Sequence, residues 1–277
     1  MSQSTCIEKI KCKDCGSSDS VQTYLNTDKV LGIEWYTSFC HSVCWENKGD
    51  PYTNGPAPKV HVKTEAEIEA EVEVVRSCRI FQTKKPYRGI PNSFYRSWGS
   101  RLLLSEFDGK TPYAIGFPME RYGKLCGWKC RPLRKKDHFG LGATYDVDPY
   151  GLSRAFQMKT NALWWTEGEF DAKALEYSMT LAGDREHYPT ISLTHGGGSI
   201  QKNFERIEDR IKHIDYHIMV LDADAVGTVA EEFAKDVWKE KAFIIRKPEG
   251  SKDANDAVIR GQGLEMGKLA LNFKSSK

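Results

Sequence analysis

Between residues 162 and 262 the sequence repeats one pattern, in which a short apolar segment, a turn and a segment with helical periodicity follow one another. The apolar segments are residues 162–166, 189–193, 216–221 and 242–246, and helices are expected at 169–181, 200–211 and 225–238. Short connections between alternating strands and helices predict a parallel sheet flanked by helices, which is an α/β architecture. That architecture also decides where functional side chains can meet.

Two of these apolar segments end in carboxylates. Glu167 follows the first segment, and Asp222 and Asp224 follow the third. Because neighbouring parallel strands end at one crevice, these side chains can meet although they are distant in sequence. Asp222 and Asp224 are two residues apart in an extended segment, so both can address one ion. Hard oxygen ligands of this kind predict a Mg²⁺ site, with Glu167 as a further ligand or as the general base.

Two later features are expected at the same edge of the sheet. Asp253 follows the fourth apolar segment and is predicted to join the Mg²⁺ ligands, whereas Asp256 is expected to cap a helix or face solvent. His195 precedes three glycines at the start of a helix, where backbone amides can face a phosphate group; a plain turn is the alternative. Acidic residues cap helices in any protein, so only the combination of these groups is informative.

Five of the eight cysteines lie within the first 44 residues, and four of them form two closely spaced pairs. Cys12 and Cys15 are separated by two residues, and Cys40 and Cys44 by three. Two such pairs predict one structural zinc ion held by four thiolates. His41 stands two residues before Cys44, so it is an alternative to Cys40 as a ligand. A zinc-binding module is therefore predicted over residues 1–49, and its aromatic residues either stack on bases or form its small core.

The remaining boundaries follow from composition and periodicity. Residues 50–64 are rich in proline and glycine, which predicts a linker. Residues 65–161 are expected to form a mixed subdomain. It is predicted to contain a helix over 64–75, for which a strand is the alternative, and a short helix from Pro91 to Gly99. Strands are predicted at 113–117, at 126–131 and near Phe156. The parallel sheet occupies 162–262, and 263–277 is expected to be a thin tail that frays.

A dense basic segment lies in the middle subdomain. Its members are Lys129, Arg131, Arg134, Lys135 and Lys136. This density beside aromatic residues suits a phosphate backbone or a nucleoside triphosphate, and a solvated loop is the alternative. The formal net charge of the chain is only +2, so the positive charge is a local property.

Several classes of protein are disfavoured by the sequence. The first residues lack the apolar core of a signal peptide, and no segment approaches the roughly 18 apolar residues of a membrane span. A cytoplasmic, reducing location is expected, in which cysteines serve as metal ligands more readily than as disulfides. A glycine-rich phosphate loop that ends in Lys and Ser or Thr is missing from the sequence, so no helicase motor is expected in this chain.

The order of these parts resembles the Toprim primases of bacteriophages, in particular the primase half of podoviral helicase-primases. The resemblance is carried by TEGEFDA at 166–172, SLTHGGG at 192–198, LDADAVG at 221–227, SKDAND at 251–256, CKDCGSSD at 12–19 and YRGI at 87–90. It implies a zinc-ribbon module joined by a linker to an RNA polymerase region, which consists of a mixed N-terminal subdomain and a Toprim parallel sheet. Thr228 departs from the pattern, because similar sequences often have a basic residue after this glycine.

The resemblance implies a DNA primase, a nucleotidyltransferase that makes short RNA primers on single-stranded DNA during phage replication. The implied partners are the DNA template, ribonucleoside triphosphates and the DNA polymerase that receives the primer. A replicative helicase, on another chain or in a missing C-terminal half, is a further implied partner, and no interaction with a membrane is implied. The implied cofactors are one structural Zn²⁺ and one or two catalytic Mg²⁺, or Mn²⁺, and the implied location is the host cytoplasm. By position, Glu167 matches the catalytic glutamate, Asp222 and Asp224 the metal-binding aspartates, and Lys129 with one of Arg134, Lys135 or Lys136 the nucleotide- or template-binding positions.

Two rival functions are compatible with these motifs. A non-catalytic DNA-binding protein of the recombination-mediator type combines a zinc knuckle with a Toprim sheet, but it lacks the region from 87 to 156. A Toprim nuclease would cut DNA with Mg²⁺ and need no ribonucleotides. Primer synthesis separates both from a primase, and a topoisomerase is disfavoured because the chain is short.

Overall fold

The chain forms two compact units, residues 1–62 and 63–277, and each is described by itself. The computed structural model describes residues 2–12, 16, 18, 21–28, 33–40, 46–47, 63–105, 107–135, 137–158, 161–184, 188–194, 199–222 and 225–273. In these parts of the chain no helix is long and apolar enough to cross a membrane.

The first unit is a four-stranded antiparallel sheet whose strands are neighbours in sequence order. They are β1 (Ser2–Ile10), β2 (Val21–Asp28), β3 (Ile33–Cys40) and β4 (Glu46–Asn47). Cys12 and Cys40 are buried together with Val21, so the structure brings one cysteine of each predicted pair into one cluster. Gly16 has φ +73° and donates its N–H to the Cys12 carbonyl at 3.0 Å, as a turn after the first cysteine pair requires. Cys15, His41 and Cys44 lie outside the described residues, so zinc ligation stays a prediction.

The second unit begins with a helix and an antiparallel sheet. Helix α1 (Glu65–Arg76) confirms the helical alternative; Thr64 and Glu67 form a capping box at its start. The sheet has five strands in sequence order: β5 (Arg79–Ile80), β6 (Arg101–Leu104), β7 (Pro112–Arg121), β8 (Lys124–Pro132) and β9 (Phe139–Gly142). Helix α1 covers one face through Val72 and Val75, and the Trp128 indole donates to the Val72 carbonyl at 3.0 Å.

Two short helices accompany this sheet. Helix α2 (Asn92–Ser97) begins after Pro91, and Gly99 with φ +70° follows its end, which confirms the expected short helix. The strand expected near Phe156 is wrong, because α3 (Leu152–Ala155) occupies this position. Gly151 precedes α3 with φ +89°, so the backbone turns sharply where the sequence suggested continued extension.

The second sheet of this unit is parallel throughout, as the sequence predicts. Its strands are β10 (Ala162–Thr166), β11 (Thr190–Ser192), β12 (Tyr216–Val220) and β13 (Ala242–Ile244), in the order β11-β10-β12-β13. The connecting helices α4 (Glu169–Leu181), α5 (Ile200–Ile211) and α6 (Ala225–Trp238) also confirm the expected pattern. Helices α7 (Ala254–Ile259) and α8 (Gly263–Leu271) follow β13.

Both faces of the parallel sheet are buried. Trp164 and Trp165, adjacent on β10, have no exposed surface and belong to different core clusters, because successive side chains point to opposite faces of a strand. The cluster around Trp164 also contains Phe117 of the antiparallel sheet and Phe170 of α4. The boundary expected at residue 161 therefore separates two sheets that share one core.

The expectation of a thin tail after residue 263 is wrong for most of that segment. Residues Met266 and Ala270 of α8 are fully buried in the shared core. A Cβ atom on Gly267 would lie 1.8 Å from the Ser178 carbonyl of α4, so glycine allows the two helices to touch. The sequence was misleading because the helix is short and begins with glycine, and its packing against α4 is set by the tertiary structure.

His217 on β12 makes the stability of this core depend on pH. Its ring stacks on Trp238 with centroids 4.1 Å apart, and its Nδ1 accepts a hydrogen bond from the Trp165 indole at 3.3 Å. Burial, assisted by Lys241, lowers the pKa of His217 from 6.5 to about 3. The unfolded chain therefore binds more protons than the fold between these values, and stability is lost as the pH falls through this window.

We expect the wild-type protein to lose about 2 kcal/mol of unfolding free energy from this group between pH 7 and pH 5. His217→Asn keeps a side-chain acceptor without a titrating imidazole, so it should be less stable at pH 7 but should lose less on acidification. Urea denaturation of both proteins at the two pH values measures this difference. Equal losses in the two proteins would show that His217 does not titrate as described.

Candidate active site

Glu167 and Asp222, two of the three carboxylates predicted to meet, lie together at the carboxyl edge of the parallel sheet. Glu167 follows β10 and Asp222 follows β12, which are neighbouring strands. The Asp222 backbone N–H donates to Glu167 Oε1 at 2.9 Å, so the glutamate fixes the start of the loop that carries Asp222. Asp224 lies outside the described residues, and its predicted role stays a prediction.

Two glycines make room for this arrangement. A Cβ atom on Gly227 would lie 2.2 Å from the Asp222 carbonyl and 3.0 Å from Glu167 Oε1. A Cβ atom on Gly168 would lie 2.7 Å from Asp171 Oδ2. Any larger residue at either position would displace a carboxylate or the backbone beside it.

Asp171, which is not among the predicted ligands, also belongs to this acidic cluster. It lies in the first turn of α4, and its Oδ1 accepts the backbone N–H of Asn255 at 3.1 Å. Burial, with repulsion from Asp253 and Asp222, raises the pKa of Asp171 well above its usual range, against the attraction of Arg88. The signal in the sequence is its place in the first turn of the helix that directly follows Glu167, at the carboxyl end of β10.

Asp253 lies at the N-terminus of α7 and caps it. Its Oδ1 accepts the backbone N–H of Asp256 at 2.6 Å, and Lys252 Nζ lies 3.7 Å from its Oδ2. Asp256 itself pairs with Arg260 at 2.9 Å. Asp253 acts on the pKa of Asp171 and therefore belongs to the acidic cluster, and it also has a structural function as a helix cap.

Arg88, from the segment YRGI, connects the antiparallel part of the unit to this edge. Its Nε donates to Asn255 Oδ1 at 2.5 Å, and Asn255 Nδ2 donates to the Arg88 carbonyl at 3.0 Å. The guanidinium lies 4.4 Å from the centroid of the Phe170 ring. Since Asn255 also bonds Asp171, Arg88 supports the acidic cluster through one intermediate residue.

The side chain of Lys129 is largely buried and contacts other protein groups. Its Nζ forms an ion pair with Glu169 Oε1 at 2.6 Å, and the two side chains are 14% and 2% exposed. The same Nζ donates to the Thr194 carbonyl at 3.1 Å, immediately before His195, which lies outside the described residues. Lys129 therefore joins the basic segment to the start of α4 and to the end of β11.

A cavity of about 200 Å³ lies beside Lys129. It is lined by Met119, Lys129, His138, Phe139, Gly140, Thr144, Tyr145 and Thr194. Burial, together with the positive charges of Lys129 and Arg131, lowers the pKa of His138. This cavity has aromatic rings and hydroxyl groups next to cationic side chains.

The other predicted basic residues are divided between a strand and a turn. Arg131 lies on β8 with its guanidinium 6.0 Å from the Phe170 ring centroid. Arg134 and Lys135 are exposed in the turn after β8, and Lys136 lies outside the described residues. The structure thus places Arg131 near the cluster and leaves Arg134 and Lys135 open to solvent.

The donor chemistry of the acidic cluster fits a hard cation. Asp171, Asp222 and Asp253 offer carboxylate oxygens, and the repulsion that raises the pKa of Asp171 would be relieved by a divalent ion. Within the described ranges, no three carboxylate, imidazole or thiol groups stand close enough to ligate a single ion. Mg²⁺ commonly takes only one or two protein carboxylates and completes its shell with water and phosphate oxygens.

A parallel sheet with acidic residues at its carboxyl edge, preceded by an antiparallel sheet, defines a mixed α/β fold. The chain is similar to the crystal structure of the primase fragment of the bacteriophage T7 primase-helicase protein, with a TM-score of 0.55 and 21% identity over 96% of this chain and 99% of that chain. It is also similar to a chain of the T7 complex in which lagging-strand DNA polymerase interacts with primase domains of two gp4 subunits bound to an RNA/DNA hybrid and dTTP. That match has a TM-score of 0.54 and 23% identity over 67% of this chain and 89% of that chain.

No family model matches the sequence, and no match is found among the curated proteins. At 21% and 23% identity, the similarity to the T7 structures establishes the fold. Activity depends on the site itself, because one fold can host several chemistries.

Proposed function

We propose that the protein is a DNA-dependent RNA primase that joins ribonucleotides on a single-stranded DNA template. The observation that carries this proposal is the acidic cluster of Glu167, Asp171, Asp222 and Asp253 at the carboxyl edge of the parallel sheet. It occurs in a chain that matches the T7 primase fragment over 96% of its length. The parallel sheet then corresponds to a Toprim subdomain and the first unit to a zinc ribbon.

In this reaction the 3′ hydroxyl of one ribonucleotide attacks the α-phosphate of the next. One or two of the carboxylates Asp222, Asp224 and Asp253 would hold each Mg²⁺, which when bound would stabilise the attacking and leaving oxygens. Glu167 orients the Asp222 loop through its 2.9 Å hydrogen bond and accepts the proton of the attacking hydroxyl. The new bond joins the hydroxyl oxygen to phosphorus, and pyrophosphate leaves with the electron pair of the broken bond.

The basic residues supply the contacts to nucleic acid in this proposal. Exposed Arg134 and Lys135 suit the template backbone, and their contribution should fall with salt. Lys129 and Arg131 lie closer to the acidic cluster and suit the nucleotide. The T7 complex contains a DNA polymerase and an RNA/DNA hybrid, which supports a polymerase that receives the primer as a partner here. A replicative helicase is proposed as a second partner.

The decisive assay uses the whole protein, single-stranded DNA of random sequence, labelled ribonucleoside triphosphates and Mg²⁺. We expect short RNA products that depend on template and on metal. Reactions without ribonucleotides test for cleavage of the DNA instead. Cleavage without RNA synthesis would replace the proposal by a nuclease, and DNA binding without either reaction would replace it by a non-catalytic protein.

A further inference from the structure

Lys247 lies at the same edge of the parallel sheet as Glu167 and Asp222. It follows β13, the strand that pairs with β12 on the side opposite to β10. Its Nζ donates a hydrogen bond to the main-chain oxygen of Leu221, the residue directly before Asp222. The ammonium group is therefore held beside the acidic cluster.

The surroundings of Lys247 disfavour the charged form of its side chain through burial. Burial lowers the pKa of Lys247, while the carboxylates of Asp222, Glu231 and Glu167 oppose the shift. Partial loss of hydration disfavours an ammonium group unless it gains compensating interactions. A lysine whose Nζ is held beside the carboxylates of a candidate active site favours a role in ligand binding.

The nearby acidic residue on α6 is already paired. Arg246 binds both carboxylate oxygens of Glu231, at 2.6 and 2.9 Å. Lys247 forms no ion pair within the part of the chain that the structure describes, and its one hydrogen bond there is to Leu221. An ammonium group has three donors, so it can bind further acceptors without losing this contact.

Since β13 is adjacent to β12, Lys247 brings its side-chain nitrogen from the neighbouring strand to the end of the sheet that carries Asp222.

We propose that Lys247 is a phosphate-binding residue that contacts the β- or γ-phosphate of the bound ribonucleotide and then the departing pyrophosphate. The substrate assigned here rests on the proposed function. As the bond between the α-phosphorus and the bridging oxygen breaks, the pyrophosphate gains negative charge. The Lys247 ammonium neutralises part of that charge through a charge-assisted hydrogen bond.

The test compares Lys247→Met with Lys247→Arg and with Lys235→Met, which makes the same change at an exposed position of α6. Calorimetry would measure two affinities for each variant. The first is the affinity for inorganic tripolyphosphate in the presence of Mg²⁺, and the second is the affinity for Mn²⁺ without tripolyphosphate. We expect Lys247→Met to weaken tripolyphosphate binding about tenfold or more, which is the range for a hydrogen bond to a charged group. Lys247→Arg should retain most of the affinity, and Lys235→Met should retain all of it.

Equal affinity in Lys247→Met and Lys235→Met would overturn the inference. So would a gain in Mn²⁺ affinity without loss of tripolyphosphate binding, because Lys247 would then act only as a counter-ion of the carboxylates. If Lys247→Met does not fold, Lys247→Arg must retain binding and Lys247→Gln must lose it. If tripolyphosphate binding depends on Lys247 but the wild type makes no primers, the proposed function alone is refuted. If Lys247→Met makes primers at the normal rate and with the normal KM, the role of Lys247 alone is refuted.

Discussion

Replacement of Asp222 by Asn is expected to reduce primer synthesis by about a thousandfold or more while the protein stays folded. Asn keeps the backbone N–H that donates to Glu167 Oε1, so the loop after β12 should hold its position. The change removes one of the negative charges that act on Asp171, and with it a ligand that a divalent ion needs. Losses of this size are typical when a group that stabilises transition-state charge is removed.

The control for this substitution is Asp215→Asn. Asp215 is exposed directly before β12, at the opposite end of the strand from Asp222, and accepts a hydrogen bond from Asn161. The chemical change is the same, but it takes place away from the acidic cluster. Product formation on single-stranded DNA would be measured for both variants, with thermal unfolding as the test of the fold. Synthesis by Asp222→Asn within tenfold of the control would contradict the role of this carboxylate.

The parallel sheet could be predicted because its strands are short apolar segments that end at turns. Every residue of β10 is buried, so the sequence signal was a continuous apolar run. Helix α8 could not be predicted in the same way, since its contact with α4 depends on Gly267 and on its place in the fold. Small residues that permit close packing give no periodic apolar signal.

The acidic cluster was predicted in part, for a related reason. Glu167 and Asp222 follow strands whose ends must coincide in a parallel sheet, so topology alone brought them together. Asp171 depends on where α4 begins, which sequence patterns place poorly. Lys247 depends on the order of the strands, because it can reach Leu221 only when β13 lies beside β12.

A buried lysine shows the limit of such reasoning most clearly. Lys173 lies in α4 without exposed surface, and its Nζ donates to the Tyr150 hydroxyl at 2.5 Å. The Nζ atom lies 4.3–5.7 Å from the ring centroids of Tyr95, Trp98, Phe117 and Tyr150, and burial lowers the pKa of Lys173 well below its usual range. A lysine in a helix is usually exposed, so its burial follows only from the packing of α4 against the antiparallel sheet.

The second large effect is expected at the first unit, where Cys12→Ser should abolish zinc binding and unfold the sheet of residues 2–47. In the described part of this unit the buried apolar cluster consists of Cys12, Val21 and Cys40. A module of this length buries little apolar surface, so it usually needs a metal or another cross-link for its stability. Zinc contributes about 10–16 kcal/mol to small zinc modules, so loss of one thiolate should be decisive.

Cys6→Ser is the matched control, because Cys6 lies on β1 of the same unit but outside the buried cluster, with its Sγ 3.8 Å from Gln22 Oε1. Zinc content, measured by mass spectrometry of the purified protein, should be about one equivalent in the control and close to zero in Cys12→Ser. Residues 63–277 form a separate compact unit, so their thermal transition should persist in both variants. Primer synthesis by Cys12→Ser should therefore lose its dependence on template sequence before phosphodiester formation is lost. Retention of zinc by this variant, or joint unfolding of both units, would contradict a metal-stabilised recognition module that is separate from the catalytic unit.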